Sequence, residues 1–447
     1  MPQQLTLDLL SAAVGGSAAA FRCRTELQPA GGVGDKVFPP TYAGAVYATE
    51  KRRLPGSADP VDCVLLDSVQ SQANRMEEAL QQAIDDGRLR IPIIEVDFTG
   101  NNLLTEVGKV TSFQAPHRIA DAILRDSLLG DVPFRKSDLG KYIDTVSIAN
   151  ATPLYELCPS ALVFGMWDST GPKGGLGAKF QRAMVSEIVG INAVFGVKTS
   201  SRIDPLQIEK NAGPLYRKAD GGWTLNPSEA LDELDKSRKP TGRKVLYQRV
   251  KGKDAYHHPE KDADKLPDPG RPSTANHGNV TPDVSKIDRD SGRPLAGGVT
   301  VASAEQMVVL SLPAIRRLRF PVQRKNSEEQ KQVDSAGRVV LVALGLCAAA
   351  LAAEKGFDLR SRCLLWPSQQ MDWELLDKPG SKNESKIALD AKAAMSLLND
   401  AVVAAEKVGL KWRAEPLVLK PSPQLIALVK KSQELTAAEG GDAGGED

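Results

Sequence analysis

Residues 61–98, "VDCVLLDSVQSQANRMEEALQQAIDDGRLRIPIIEVDF", constrain the fold more tightly than any other stretch. "VDCVLL" is a short apolar run of the kind a buried strand makes. Asp67 or Ser68 directly after it can cap a helix, and Gly87 can end one. Between these signals Val69, Ala73, Met76, Leu80 and Ile84 fall on one helical face, with Gln70, Ser71, Asn74, Arg75 and Glu78 on the other. "IPIIEVDF" then reads as a second strand. A strand, a capped amphipathic helix and another strand in immediate succession require a layer of helix on sheet.

Similar signals continue along the chain. "EVGKVTSF" reads as a third strand, and "PHRIADAILRDSLL" (116–129) as a helix with Pro in its first turn. "SDLGKYIDTVSIAN" reads as another helix. "ALVFGMW" reads as a strand, followed by the glycine-rich "DSTGPKGGLGAKFQR" (168–182) and a helix over "GAKFQRAMVSEIVG" with Phe180, Met184 and Ile188 on one face. Residues 215–300 are polar, charge-mixed and crowded with Pro and Gly, which marks an insertion, part hairpin ("RKVLYQRVKG") and part flexible loop. A strand at 305–312, an Ala-rich helix, a strand "RSRCLLW" and a helix around 385–407 complete the chain. The expected class is α+β, with a ferredoxin-like core and large insertions. The expected divisions are 1–214, 215–300, 301–430 and a tail at 431–447.

Charge sets the class of partner. The 447 residues carry a net charge of only +1. The tail "KSQELTAAEGGDAGGED" holds one Lys and five acids, so the body is mildly basic and any anion binding must be local. Five cysteines without a CxxC fit a reducing compartment. The first residues lack a basic n-region, and the longest apolar run, 339–353, is shorter than the ~20 residues a bilayer needs. These features predict a cytoplasmic protein with that run as a buried helix.

The glycine-rich loop fails two nucleotide motifs. A Walker A loop needs Gly-Lys-Ser/Thr, but Gly177 is followed by Ala178 and Lys179 by Phe180. A dinucleotide fingerprint needs a third glycine where Phe180 stands. What survives is flexible backbone beside Lys173, Lys179 and Arg182, suited to modest contacts with a polymer backbone. The polar helix face Gln70, Ser71, Asn74 and Arg75 can bond phosphate and sugar oxygens. Lys36 beside Phe38 and Tyr42 offers a cation and two rings, and Lys51-Arg52-Arg53 and Arg316-Arg317-Arg319 are basic clusters. Three of the four histidines, 257, 258 and 277, fall in the insertion, a poor scaffold for a precise base. No HExxH, GxSxG or Cys/His metal spacing occurs in the sequence. Asp67 or Asp168, each at the end of an expected strand, is the carboxylate a metal-dependent ribonuclease would use.

Several stretches together resemble the backbone subunit of the type I-G (formerly I-U) CRISPR Cascade, a branch of the RAMP superfamily. They are "GDKVFPPTYAG", "EKRR", "LLDSVQSQANRMEEAL", "HRIADAILRDS", "FGMWDSTGPKGGLGAKFQRAMVSEIVG", "NHGNV" with "GGVT", and "VLSLPAIRRLRFP", spread over about 20–370. The resemblance implies a modified RRM-like palm with thumb and finger insertions. It implies copies that polymerise along one crRNA in a helical filament and present the guide to target DNA. It further implies other Cascade subunits as partners (a large subunit and a repeat-end cap), a recruited helicase-nuclease, no membrane, no cofactor or metal, and no catalysis by this chain. The expected RNA contacts are Lys36, Lys51, Arg52, Arg53, Gln70, Ser71, Asn74, Arg75, Lys173, Lys179 and Arg182, with His277 and Asn279 on the thumb. The alternative is a metal-dependent endoribonuclease of the same superfamily.

If Lys173 touches one phosphate of a single strand, Lys173→Ala flattens the slope of log K against log salt by roughly 0.7. A titration series in salt measures this, and an unchanged slope removes the residue from the site.

Overall fold

The computed structural model describes every residue except 1, 171–176, 236, 248–269, 286, 288–294, 324–325, 381–384 and 441–447. The chain forms two units, residues 1–196 with 298–431, and residues 197–297 with 432–447.

The first unit is organised by one large mixed sheet. Its main elements are β1 (Ala20–Pro29), β2 (Thr49–Arg52), β3 (Val61–Asp67), α1 (Val69–Asp85), β4 (Met184–Ile191), β5 (Ser303–Ser311), α2 (Ser327–Ala353), β6 (Leu364–Pro367), β7 (Asp372–Leu376), β8 (Ser385–Ala388) and α3 (Ala391–Lys407). The strands β7, β1, β5 and β4 lie side by side in that order, each antiparallel to its neighbour. With α1 between β1 and β4 in sequence, and α2 between β5 and β7, this is a βαββαβ core with strand order fourth, first, third, second. The α+β class is therefore met, and the topology is that of an RRM-like palm. β3 and β2 extend the sheet beyond β4, β8 extends it beyond β7, and β6 pairs with the end of β1. A separate five-stranded sheet includes Ile94–Asp97, Lys109–Thr111 and Leu417–Pro421.

Both helices of the core pack on one face of the sheet. Strict alternation in β5 sends Ala304, Gln306, Val308 and Leu310 toward them, and β4 adds Met184, Ser186 and Ile188. α1 begins at Ser68, whose hydroxyl accepts from the Ser71 amide at 3.2 Å, so Ser68 rather than Asp67 is the cap. Its buried face includes Ala73, Met76 and Leu80 as the spacing requires, and also two polar residues, Gln72 and Glu77. Gln72 accepts from Ser186 Oγ at 2.8 Å and Gln306 Nε2 at 2.9 Å. Glu77 takes both ends of the Arg118 guanidinium, at 2.7 and 2.6 Å. Gln72 and Glu77 are thus both paired, which removes the main cost of burying them, while the Oε1 of Gln306 finds no partner among the described residues.

α2 starts in a capping box formed by Asn326 and Glu329. It is long and apolar enough to cross a membrane by length and composition, yet 78% of its most apolar window is buried inside the fold. This is the core helix expected from the Ala-rich run. Gly337 permits the closest approach, because a Cβ there would sit 2.8 Å from the buried Phe320 ring.

Four local expectations are corrected. "ALVFGMW" is not one strand: Ser160–Phe164 is helical, Gly165 turns the chain at φ +86°, and only Met166–Trp167 is extended. "GAKFQRAMVSEIVG" is not a helix but the strand Lys179–Phe180 followed by β4. Residues spaced by four share a face in a strand as well as in a helix, so Phe180, Met184 and Ile188 could not separate the two. The expected helix over 116–129 is broken by Asp121, which caps the short helix Ala122–Arg125 and leaves Ser127–Leu129 as a strand. The helix in "SDLGKYIDTVSIAN" covers only Asp138–Ile143.

Among its described residues the second unit has three antiparallel strand pairs: Lys198–Arg202 with Val280–Ser285, Tyr216–Arg217 with Trp223–Thr224, and Asp232–Leu234 with Pro240–Lys244. The latter half of "RKVLYQRVKG", together with His257 and His258, lies outside the described residues.

All five cysteines are buried. Burial pushes the Cys23 thiol up to about 11 and the Cys347 thiol up to about 12. Thiolate is the reactive form, so native protein at pH 8 should react negligibly with a thiol-specific disulfide reagent. Denaturant should release all five. Rapid reaction of native protein would contradict the packing.

Candidate nucleic-acid interface

The end of β3 and the start of α1 carry the first part of the site. Asp67 is 1% exposed, and three groups converge on its carboxylate: Gln72 Nε2 at 2.6 Å, Arg75 Nε at 3.0 Å and Arg360 Nη2 at 3.3 Å. Arg75 also donates to the carbonyl oxygens of Leu359, at 2.5 Å, and Asp358, at 3.2 Å. Arg360 reaches the Phe38 carbonyl at 3.4 Å. One buried carboxylate therefore ties together α1, the loop holding Phe38 and the turn that leads into β6.

Around that tie lies a cationic and aromatic cluster. Val37 pairs with Val299, and the Phe38 amide donates to the Arg362 carbonyl at 3.1 Å. The Arg362 guanidinium lies over the Phe38 ring, 4.8 Å from its centroid. Lys36 and Phe38 rest against Gly298, where a Cβ would be 2.6 Å from Lys36 Cδ and 3.0 Å from the Phe38 ring. Gly298 has φ +81°, so both its backbone and its lack of a side chain are needed there. Its amide donates to the Tyr47 hydroxyl at 2.9 Å, and Tyr47 stacks near Phe195 with ring centroids 6.4 Å apart. Burial raises the Tyr47 hydroxyl above its usual range, which keeps it neutral.

The expected contact residues divide by what already holds them. Lys36 joins the cluster, and Arg75 supports it from below. Gln70 and Asn74 are exposed on α1, with Ser71 half-buried beside them. Lys51 pairs with Asp62 at 2.9 Å on the surface. Arg52 bonds Glu187 at 2.7 Å and also Glu50, and Glu187 holds its guanidinium protonated above even the usual high range. Arg53 is exposed with no polar partner among the described residues. Lys179 stands 5.6 Å from the Trp167 ring centroid, and the stem of the exposed Arg182 lies against Gly165; neither bonds to the Lys36–Phe38 cluster. Lys173 lies outside the described residues. In the second unit, the Asn279 amide oxygen accepts from the Asp204 amide at 2.7 Å, and His277 meets Trp223 edge-on at 6.0 Å. Backbone amides of Leu206 and Gly278 hold the Asp204 carboxyl below the usual carboxylate range.

Arg360 and Arg362 were not foreseen as site residues. Their only sequence signal is a pair of alternate arginines just before an apolar strand. Their partner loop is more than three hundred residues away in sequence, and only β1–β6 pairing brings it close.

Both alternative ribonuclease carboxylates, Asp67 and Asp168, are engaged by arginines. Asp67 is surrounded as described, and Asp168 accepts from Arg135 at 2.8 Å while the same guanidinium bonds Asp144. No cluster of three or more metal-ligating side chains occurs among the described residues.

The sheet face opposite the helices is neutralised by its own charges. Arg22 pairs with Glu374 and Arg24 with Glu305, each at 2.7 Å, and Arg52 with Glu187. Between them lie Val185 and Met307, 39% and 37% exposed. Typical RRMs stack bases on aromatic rings of the central strands. The corresponding positions of β1, β4 and β5 carry Arg, Glu, Val and Met and offer no such ring, whereas the cluster at the end of the sheet combines cations with a ring.

Residues 21–194 match the family described as CRISPR-associated protein GSU0053. This similarity supports a CRISPR-associated protein. No curated protein is significantly similar to the chain.

Removing one partner of a buried ion pair leaves the others uncompensated. Asp67→Ala should therefore cost about 3 kcal/mol, since Arg75 and Arg360 retain some solvent access. Lys51→Ala, which breaks an exposed pair, should change stability by less than about 0.5 kcal/mol. Thermal melts of both variants measure the contrast, and equal shifts would refute the tying role of Asp67.

Proposed function

We propose that the chain is a crRNA-binding backbone subunit of a type I CRISPR Cascade, acting without catalysis of its own. The observation that carries this is the Lys36–Phe38–Arg362 cluster beside the polar first turns of α1. A guide holder must grip RNA without reading it, so it needs cations for phosphate and a ring or guanidinium plane for a base. Arg362 stacked on Phe38 supplies both in one unit. Gln70, Ser71 and Asn74 add neutral donors and acceptors suited to phosphate and 2′-hydroxyl oxygens. Arg53 extends the path along the edge strand. His277 and Asn279 belong to a thumb contributed by the second unit.

The near-neutral charge of the chain is compatible with this role. Each copy supplies a few contacts, and copies bound side by side on one RNA multiply them. The guide then stays open for target DNA, and other Cascade subunits and a helicase-nuclease complete the assembly.

Protein purified from cells carrying its own locus should bring down RNA containing repeat sequence, identified by sequencing. Protein free of such RNA would overturn the proposal. In vitro, Phe38→Ala and Arg362→Ala should each weaken single-stranded RNA binding by about 1–3 kcal/mol. Lys51→Ala should have a much smaller effect, because its charge is already paired.

A further inference from the structure

Away from the Lys36–Phe38 cluster, the strand Lys179–Phe180 and the helix Leu312–Arg316 enclose a cavity of about 260 Å³. Its lining is mostly carbon, from Ile148, Leu162, Ala183, Ala314 and Leu318. Two exposed cations, Lys179 and Arg317, also line it. Neither has a carboxylate partner among the described residues, in contrast to Arg22, Arg24, Arg52 and Arg75. Ile148 is left 51% exposed beside them.

An open aliphatic hollow flanked by like charges is incomplete in two ways. It leaves apolar surface in water, and it leaves two cations near each other without a counter-charge. A ligand with carboxylates and one aliphatic group corrects both. A nucleobase fits the lining less well. Bases are held by stacking on an accessible ring or by hydrogen bonds to their edges. The ring in this lining, Phe180, is buried, and Gln181 supplies the one side-chain amide.

We propose that this cavity docks an acidic segment of a partner protein. A leucine-sized side chain enters the hollow and takes up part of it, and carboxylates on either side of it pair with Lys179 and Arg317. The anchor supplies most of the affinity, because it is the part fully removed from water, while the charges set orientation and association rate. Lys179 then serves protein contact rather than RNA. The proposal does not depend on the RNA-binding role.

The test is fluorescence anisotropy with full-length, RNA-free protein and a labelled peptide carrying several Glu residues around one central Leu. Saturable binding is expected. Replacing the peptide Leu by Ser, or combining Lys179→Glu with Arg317→Glu, should weaken it roughly tenfold or more. Ala314→Phe, which fills the hollow and spares both cations, should also abolish binding, with circular dichroism confirming the fold. Equal affinity for the Leu and Ser peptides would overturn the proposal, since the hollow would then have no occupant. Unchanged binding by Arg317→Glu would overturn it as well. Single-stranded RNA binding is measured in parallel. If Arg317→Glu abolishes RNA binding but not peptide binding, the cavity belongs to nucleic acid and the proposal fails. If the wild-type protein binds the peptide but no RNA, the RNA role fails and the docking site stands.

Discussion

The Asp67 carboxylate is the contact on which the interface depends. A charge that is 1% exposed is tolerated only when its lone pairs are filled, and here an amide and two guanidinium groups fill them. The three donors come from different places in the chain. Gln72 and Arg75 belong to α1, and Arg360 belongs to the turn before β6. Satisfying one buried charge therefore fixes the height of α1 on the sheet and the position of the turn that carries Arg362. The half-buried Lys36 and Phe38 and the exposed Arg362 are held rigidly because the charge beneath them has no freedom left.

The unit separates charges that are used internally from charges left available. On the open sheet face, arginines and glutamates alternate across strands and cancel. Such a face has no net field to draw in a polyanion, although its topology is RRM-like. Cations without a carboxylate partner among the described residues include Arg362 at the sheet's end and Lys179 and Arg317 around the cavity. Charge in this protein is distributed locally, so a net charge of +1 says little about the field at any one place on its surface.

The sequence made some of this legible and hid the rest for identifiable reasons. β3 and α1 were readable because cap, apolar period and stop signal agree, and all three are local. β4 was misread as a helix because its core residues are four apart; the decisive residue, Ser186, is polar yet faces inward to bond Gln72. The break at Asp121 was missed because an internal aspartate looks like an exposed helical residue until its side chain is seen capping Ile123. At the candidate site, Lys36 and the polar face of α1 are expected contacts from residue type and spacing, and the structure places Lys36 against Phe38 and Gly298 and leaves Gln70 and Asn74 exposed. Asp67 was singled out for the wrong reason, as an acid or a cap, because the arginines that occupy it are supplied by α1 and by a turn near the far end of the chain. Arg360 and Arg362 depend wholly on that long-range pairing.

α2 also affects how the chain is made. It carries apolarity sufficient for a bilayer within a fold that buries it. Translation delivers β1, β3, α1, β4 and β5 before α2, while β6, β7, β8, α3 and the strand Leu417–Pro421 are among the elements that follow it. The three adjacent strands β1, β5 and β4 can therefore close before the helix leaves the ribosome. Those three strands then serve as the receptor for the chain's least soluble segment. A delay in that closure would release a helix that water rejects and that membranes and chaperones accept, so the order of the elements along the gene protects the protein during its own synthesis.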